Sequence, residues 1–112
     1  MKIVTDDLLK VTEDTFLQEV LEAEGPVLVN FYLSGHQPSR MMVPTLETVA
    51  SRNPGVKICR VEVEDCPALV QRYNIYILPT TISFLNGKTR RRCSGLVLEA
   101  PLEAMIRQCG EG

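Results

Sequence analysis

The chain contains no Cys-x-x-Cys pair. Its four cysteines, Cys59, Cys66, Cys93 and Cys109, stand apart in a sequence of 112 residues. They form neither a dithiol motif nor a metal-ligand spacing. There is a single histidine, His36; with no second imidazole and no ligand-spaced thiols, no metal site is expected, and no cofactor is implied. An excess of either charge is also missing: 12 basic residues face 14 acidic ones, for a net charge of −2. Such a chain has no field for gathering nucleic acid. No apolar run reaches the ~18 residues that a membrane span needs. Met1-Lys2-Ile3-Val4-Thr5-Asp6-Asp7 offers no apolar stretch and no small-residue cleavage site. The expectation is therefore a protein without a signal peptide, located in the cytoplasm. In a reducing compartment the cysteines are expected to be free thiols, mostly buried as small hydrophobes. No internal repeat and no low-complexity segment interrupts the sequence.

What is present suits one domain over residues 1–112, with 45% apolar residues. A first helix is expected from Thr12, whose side chain can cap it, with Phe16, Leu17, Val20 and Leu21 on one face. Gly25-Pro26 ends it. The near-continuous apolar run Val27–Leu33 reads as a strand buried on both faces. Pro38 opens a second helix, lined inside by Met42, Val43, Leu46, Val49 and Ala50. Pro44 should kink it. Asn53-Pro54-Gly55 ends that helix and Val56–Val63 forms another strand. Cys66-Pro67 starts a short helix running through Tyr73. Thr81–Leu85 and Lys88–Ser94 make a hairpin around Asn86-Gly87, a pair that tolerates positive φ. Pro101 opens a last helix, with Leu102, Met105, Ile106 and Cys109 at helical spacing. This order requires a parallel pair joined by a crossover, plus an antiparallel pair. The fold class is therefore α/β, a central mixed β-sheet with helices on both faces.

Several segments in this order carry a resemblance. They are Val27-Leu28-Val29-Asn30-Phe31-Tyr32, Ser34-Gly35-His36-Gln37-Pro38-Ser39-Arg40, Met41-Met42-Val43-Pro44, Tyr73 to Thr80, and Phe84-Leu85-Asn86-Gly87 with Gly95 after it. Together they resemble the thioredoxin family over nearly the whole chain, which implies the thioredoxin fold and a cis peptide before Pro79. The departures bear on function. The resemblance maps the family's attacking cysteine onto His36, its resolving cysteine onto Ser39 and the preceding tryptophan onto Gly35. It maps the buried aspartate that moves protons for the resolving thiol onto Asn30. A buried carboxylate is costly unless its charge is used, so a neutral amide fits a site without thiols.

Thiol–disulfide exchange needs a thiolate, which neither His36 nor Ser39 can supply. No dithiol activity is expected at this site, although the family is one of protein-disulfide oxidoreductases. His36 and Ser39 lie one helical turn apart, yet there is no Gly-x-Ser-x-Gly elbow and no acid placed to orient the imidazole, so a serine hydrolase is not expected. Two other thiols remain candidates for redox chemistry, a glutathione adduct being one route. Cys93 has Arg90, Arg91 and Arg92 beside it to lower its pKa, and Cys66, at a helix start, is expected to be partly exposed. The Lys88–Arg92 run reads as protection of a sheet edge, with room for local docking of an acidic partner. By resemblance, an extended protein or peptide partner would lie over Gly35, His36, Gln37, Pro38, Leu78, Pro79, Ser94, Gly95 and Leu96. Strand-like binding there needs no thiol. The reading is a redox-inactive binding module, for holding clients or assembling a complex, with a redox protein using Cys93 or Cys66 as the alternative.

Overall fold

The computed structural model describes residues 8–110; the expectation for Met1–Asp7 lies outside them. Five strands form one mixed sheet in the order β1-β3-β2-β4-β5. They are β1 (Leu8–Lys10), β2 (Pro26–Tyr32), β3 (Lys57–Glu62), β4 (Thr80–Leu85) and β5 (Lys88–Ser94). The central strand is β2, buried from Val27 to Phe31, as its unbroken apolar run requires. It pairs in parallel with β3, from Val27 opposite Lys57 to Tyr32 opposite Glu62. On its other side it runs antiparallel to β4, from Pro26 opposite Leu85 to Phe31 opposite Thr80. The short β1 is absent from the elements expected from the sequence: among the described residues it pairs with β3 alone, and three residues are too few to show a period.

Alternation along β2 divides the core into two layers. Val27, Val29 and Phe31 join Phe16, Val20, Leu69, Ile82 and Phe84 on one face. Leu28 joins Met42, Leu46, Val49, Leu102 and Met105 on the other. The second face is covered by α2 (Val43–Arg52) and α4 (Glu99–Cys109). The first is covered by α3 (Pro67–Arg72) and a π-helical segment at Leu17–Leu21.

That π-helical segment corrects the helix expected from Thr12. Thr12 does not cap it with its side chain; instead the Thr12 N–H donates to Thr15 Oγ1 at 2.9 Å, closing a turn first. The Glu22 N–H then reaches back to Leu17 O at 2.9 Å, a wider ring than an α-helix makes. Phe16 and Val20 point inward as expected, but Leu17 is exposed.

The helix after β2 is split into α1 (Gln37–Met41) and α2, with Met42 between them. The cause is Pro44: it has no N–H for the Arg40 carbonyl, and its ring crowds that oxygen. Arg40 O is taken by the Met42 N–H instead. The last helix begins at Glu99, two residues before Pro101. Pro101 still sits within the first turn, where backbone N–H groups have no intrahelical acceptor and a missing one loses nothing.

Candidate functional site

Strand polarity decides where the chemistry sits. Tyr32 ends β2 beside Glu62 at the end of β3. Phe31 lies opposite Thr80 at the start of β4, and Thr80 lies opposite Ser94 at the end of β5. The segments 33–36, 77–79 and 94–96 therefore leave the sheet at one end. Most of the residues that the resemblance assigned to a binding surface belong to these segments.

Between β2 and α1 the chain turns at Gly35, whose φ of +80° favours glycine. The His36 N–H closes the turn on Leu33 O at 3.1 Å. His36 itself is extended and half-buried at the start of α1, and Pro38 occupies the first turn. Ser39 is fully buried. Its hydroxyl oxygen accepts from the Leu33 N–H at 3.3 Å and pairs with His36 Nδ1 at 3.0 Å.

Beneath α1 lies a polar chain that ties helix to sheet. The guanidinium of Arg60, on β3, stacks over the Tyr32 ring at 3.8 Å. Its Nη2 donates to Ser39 O at 3.4 Å, and its Nε donates to Asn30 Oδ1 at 3.1 Å. Asn30, with no solvent exposure, donates through Nδ2 to Thr81 Oγ1 at 3.1 Å and to the Met42 sulfur at 3.8 Å. An amide suits this place because it accepts from Arg60 and donates to Thr81 at once; a carboxylate only accepts. Burial draws Arg60 below its ordinary pKa, opposed by Tyr32 and Glu62. Beside this chain, buried Glu62 accepts from the Ser34 N–H at 2.8 Å, from the Ser34 hydroxyl, and from the Glu64 N–H at 3.1 Å. Burial raises the Glu62 carboxyl, but these hydrogen bonds and the charge of Lys10 outweigh it and hold the group below its ordinary value.

Across the sheet end, the peptide between Leu78 and Pro79 is cis. Pro79 O accepts from the Gly95 N–H at 2.6 Å, and Thr80 Oγ1 lies 3.3 Å from Ser94 Oγ. Segments 78–80 and 94–95 are thus joined directly. The apolar side chains Tyr76 (86% exposed), Ile77 (56%) and Leu96 (42%) stand in solvent along this part of the surface. Tyr76 and Ile77 are not among the binding-surface residues expected from the sequence, where the apolar run Ile75-Tyr76-Ile77 carries no local sign of exposure. Only the proline two residues on signals that the segment lies outside a strand.

The thiols lie elsewhere. Cys59 is fully buried, and burial pushes it up to about 12 against the opposing charge of Lys57. Cys66, expected to be partly exposed, is buried; burial raises its pKa, and the carboxylates of Glu13, Asp65 and Glu62 add to that against a hydrogen bond at Glu13. Its helix, with Pro67 next to it, turns the side chain into the first core layer. Cys93 is half-buried against the second layer. Burial raises its pKa too, so the lowering expected from Arg90, Arg91 and Arg92 does not occur. In the strand Cys93 sits opposite Thr81, Arg92 opposite Ile82 and Arg91 opposite Ser83. Cys109 is buried and donates to Phe84 O at 3.3 Å.

As chemistry, the His36–Ser39 pair falls short of a hydrolase. Among the described residues no carboxylate orients the imidazole, and a buried hydroxyl is closed to a substrate carbonyl. Among the same residues no group of three or more His, Cys, Asp or Glu is arranged to hold a metal ion. No helix among them is long and apolar enough to cross a membrane.

The family model that matches this chain is that of thioredoxin, over residues 7–108. The chain belongs to the thioredoxin family. It is 31% identical to the chloroplastic M-type thioredoxin of Triticum aestivum over 106 residues, 94% of this chain and 61% of that protein. With the chloroplastic thioredoxin M5 of Oryza sativa it shares 32% identity over 104 residues, 92% of this chain and 60% of that protein. With thioredoxin 1 of a Nostoc strain it shares 31% over 100 residues, 88% of this chain and 94% of that protein. The chain thus spans less than two thirds of the plant relatives' length. Membership of the thioredoxin family accounts for the mixed five-stranded sheet with helices on both faces.

Proposed function

We propose that this thioredoxin-family chain holds extended polypeptide at the sheet end bounded by Gly35–Pro38, Leu78–Pro79 and Ser94–Leu96, without exchanging disulfides there. One observation carries the reading: exposed apolar side chains, Tyr76, Ile77 and Leu96, edge a site whose helix start carries a half-buried imidazole and a buried hydroxyl instead of thiols. Apolar groups left in water gain by being covered, and an extended partner can bond to backbone in strand fashion. His36 and Ser39 stand where the family's resemblance puts its cysteines, and Asn30 where it puts the aspartate that serves them. Residues 1–112 act here as one domain, in the cytoplasm, on a protein or peptide partner and without a cofactor.

The test is titration of the full chain with an unfolded polypeptide whose cysteines are alkylated, so that no disulfide can form. Saturable binding is expected, weakened at least about ten-fold by Leu96→Asp and by Ile77→Asp, since each places a charge on apolar contact surface. Unchanged binding in both variants refutes this choice of surface.

The names of the relatives favour a second reading, a thiol–disulfide oxidoreductase. In this chain its reactive group would be Cys93, the half-buried thiol, with buried Cys66 the weaker candidate. A single fast-reacting thiol in the folded protein, removed by Cys93→Ser, would support that reading over the first.

A further inference from the structure

At the start of α1 one residue has all but one of its polar atoms committed. His36, the only histidine of the chain, spends its N–H on Leu33 O at 3.1 Å and its carbonyl on the Arg40 N–H at 3.0 Å. Its Nδ1 lies 3.0 Å from Ser39 Oγ. The remaining atom, Nε2, has no partner among the described residues, and the side chain is half-buried. The two nitrogens of an imidazole are distinct and point to different sides of the ring. With Nδ1 turned to the buried serine, Nε2 points away from it.

Ser39 decides which nitrogen carries the hydrogen of the neutral ring. The residue has no solvent exposure, and its hydroxyl oxygen accepts from the Leu33 N–H at 3.3 Å. A hydroxyl has one hydrogen to give, and among the described residues His36 Nδ1 is the one other partner of that oxygen. A buried donor left unspent costs the desolvation of the group. The Ser39 O–H therefore donates to Nδ1, which must be bare, and the ring hydrogen sits on Nε2. The opposite tautomer would set two N–H groups against one oxygen and strand the serine hydrogen inside the protein.

The sheet end thus carries a hydrogen-bond donor whose residue is tied down through its backbone and through its ring before any partner arrives. A donor held in this way loses little freedom on binding. The exposed side chains that rim this end, Tyr76, Ile77 and Leu96, are apolar and select no charged group. An extended polypeptide, by contrast, offers a carbonyl acceptor at every residue. Building on the polypeptide-holding function proposed above, we propose that Ser39 holds His36 as its Nε2–H tautomer and that this N–H donates to a backbone carbonyl of the bound polypeptide. His36 is then a contact residue for the partner, and Ser39 a positioning residue that acts through it.

Nitrogen NMR of the full chain tests this, because a single histidine gives a single imidazole pattern. Without a partner, in mildly alkaline buffer, Nε2 is expected to be protonated and Nδ1 bare, with both tautomers populated in Ser39→Ala. On saturation with the cysteine-alkylated unfolded polypeptide, the Nε2 resonance is expected to move while Nδ1 stays bare. Binding is expected to weaken about three- to ten-fold in His36→Phe, which keeps a ring and loses the donor, and to recover in His36→Gln, which restores a donor. A proton on Nδ1 in the unsubstituted chain overturns the proposal without any variant having to fold. An Nε2 resonance unmoved at saturation, or equal binding by His36→Phe, overturns it and leaves polypeptide binding at the sheet end standing. No saturable binding by the unsubstituted chain defeats that wider reading, and this proposal with it, whatever the tautomer.

Discussion

At the scale of single residues, Asn30 and Arg60 join the candidate site to the sheet. Replacing Asn30 with alanine leaves the half-buried Arg60 Nε and the fully buried Thr81 Oγ1 each short of a partner. Urea unfolding of Asn30→Ala is expected to show a loss of about 2–3 kcal/mol; a loss below about 0.5 kcal/mol would mean that the chain of bonds contributes little. The thiols make a second case. With burial raising all four, titration with a disulfide reagent near pH 8 is expected to be slow in the native protein and fast after unfolding. Whatever native reaction is seen should be lost mainly in Cys93→Ser. The identity of His36, Ser39 and Asn30 was legible in the sequence, because residue type alone excludes a thiolate. Their connection was not: Arg60 is a mid-strand arginine whose partners lie 30 and 21 positions away in the chain, and no local pattern encodes such a contact. The environment of Cys66 was misread for a similar reason. A position before a helix suggests exposure, and only the packing of α3 against the sheet buries it.

At the scale of elements, the Asn86-Gly87 turn behaved as its residue types require, with φ of +54° and +80°. A Cβ on Gly87 would also stand 2.9 Å from Leu21 O. Gly87→Ala is therefore expected to lower stability by about 1–2 kcal/mol from backbone strain alone, and by more through the contact with Leu21; thermal unfolding measures it. The strands and the two-part helix were readable because apolar runs, prolines and the hairpin turn are local signals. Boundaries moved where a local signal had a competitor. Thr15 satisfies the Thr12 N–H and delays the first helix, and Pro101 sits inside the first turn of α4 instead of opening it. Three-residue β1 has no signal of its own, since its register is set by β3.

For the whole molecule, acid sensitivity follows from Glu62. Its carboxyl is held below its unfolded value, so its contribution to stability is complete above the unfolded value. That contribution is lost as pH falls through the folded one. Stability measured by urea unfolding should therefore decline on acidification below the ordinary carboxylate range, with a smaller decline in Glu62→Gln. An identical decline in the variant would assign the effect to other carboxylates. The global picture is of a thioredoxin-family sheet whose proposed binding end has an apolar rim and a cis-proline segment, while its helix start carries His36 and Ser39 and its thiols are buried or half-buried. The most direct test of that picture is the reduction of insulin disulfides by dithiothreitol in the presence of the purified chain, run beside a conventional thioredoxin. The account predicts the rate of dithiothreitol alone. Acceleration approaching that of the conventional protein, abolished by Cys93→Ser or another single Cys→Ser change, would contradict it.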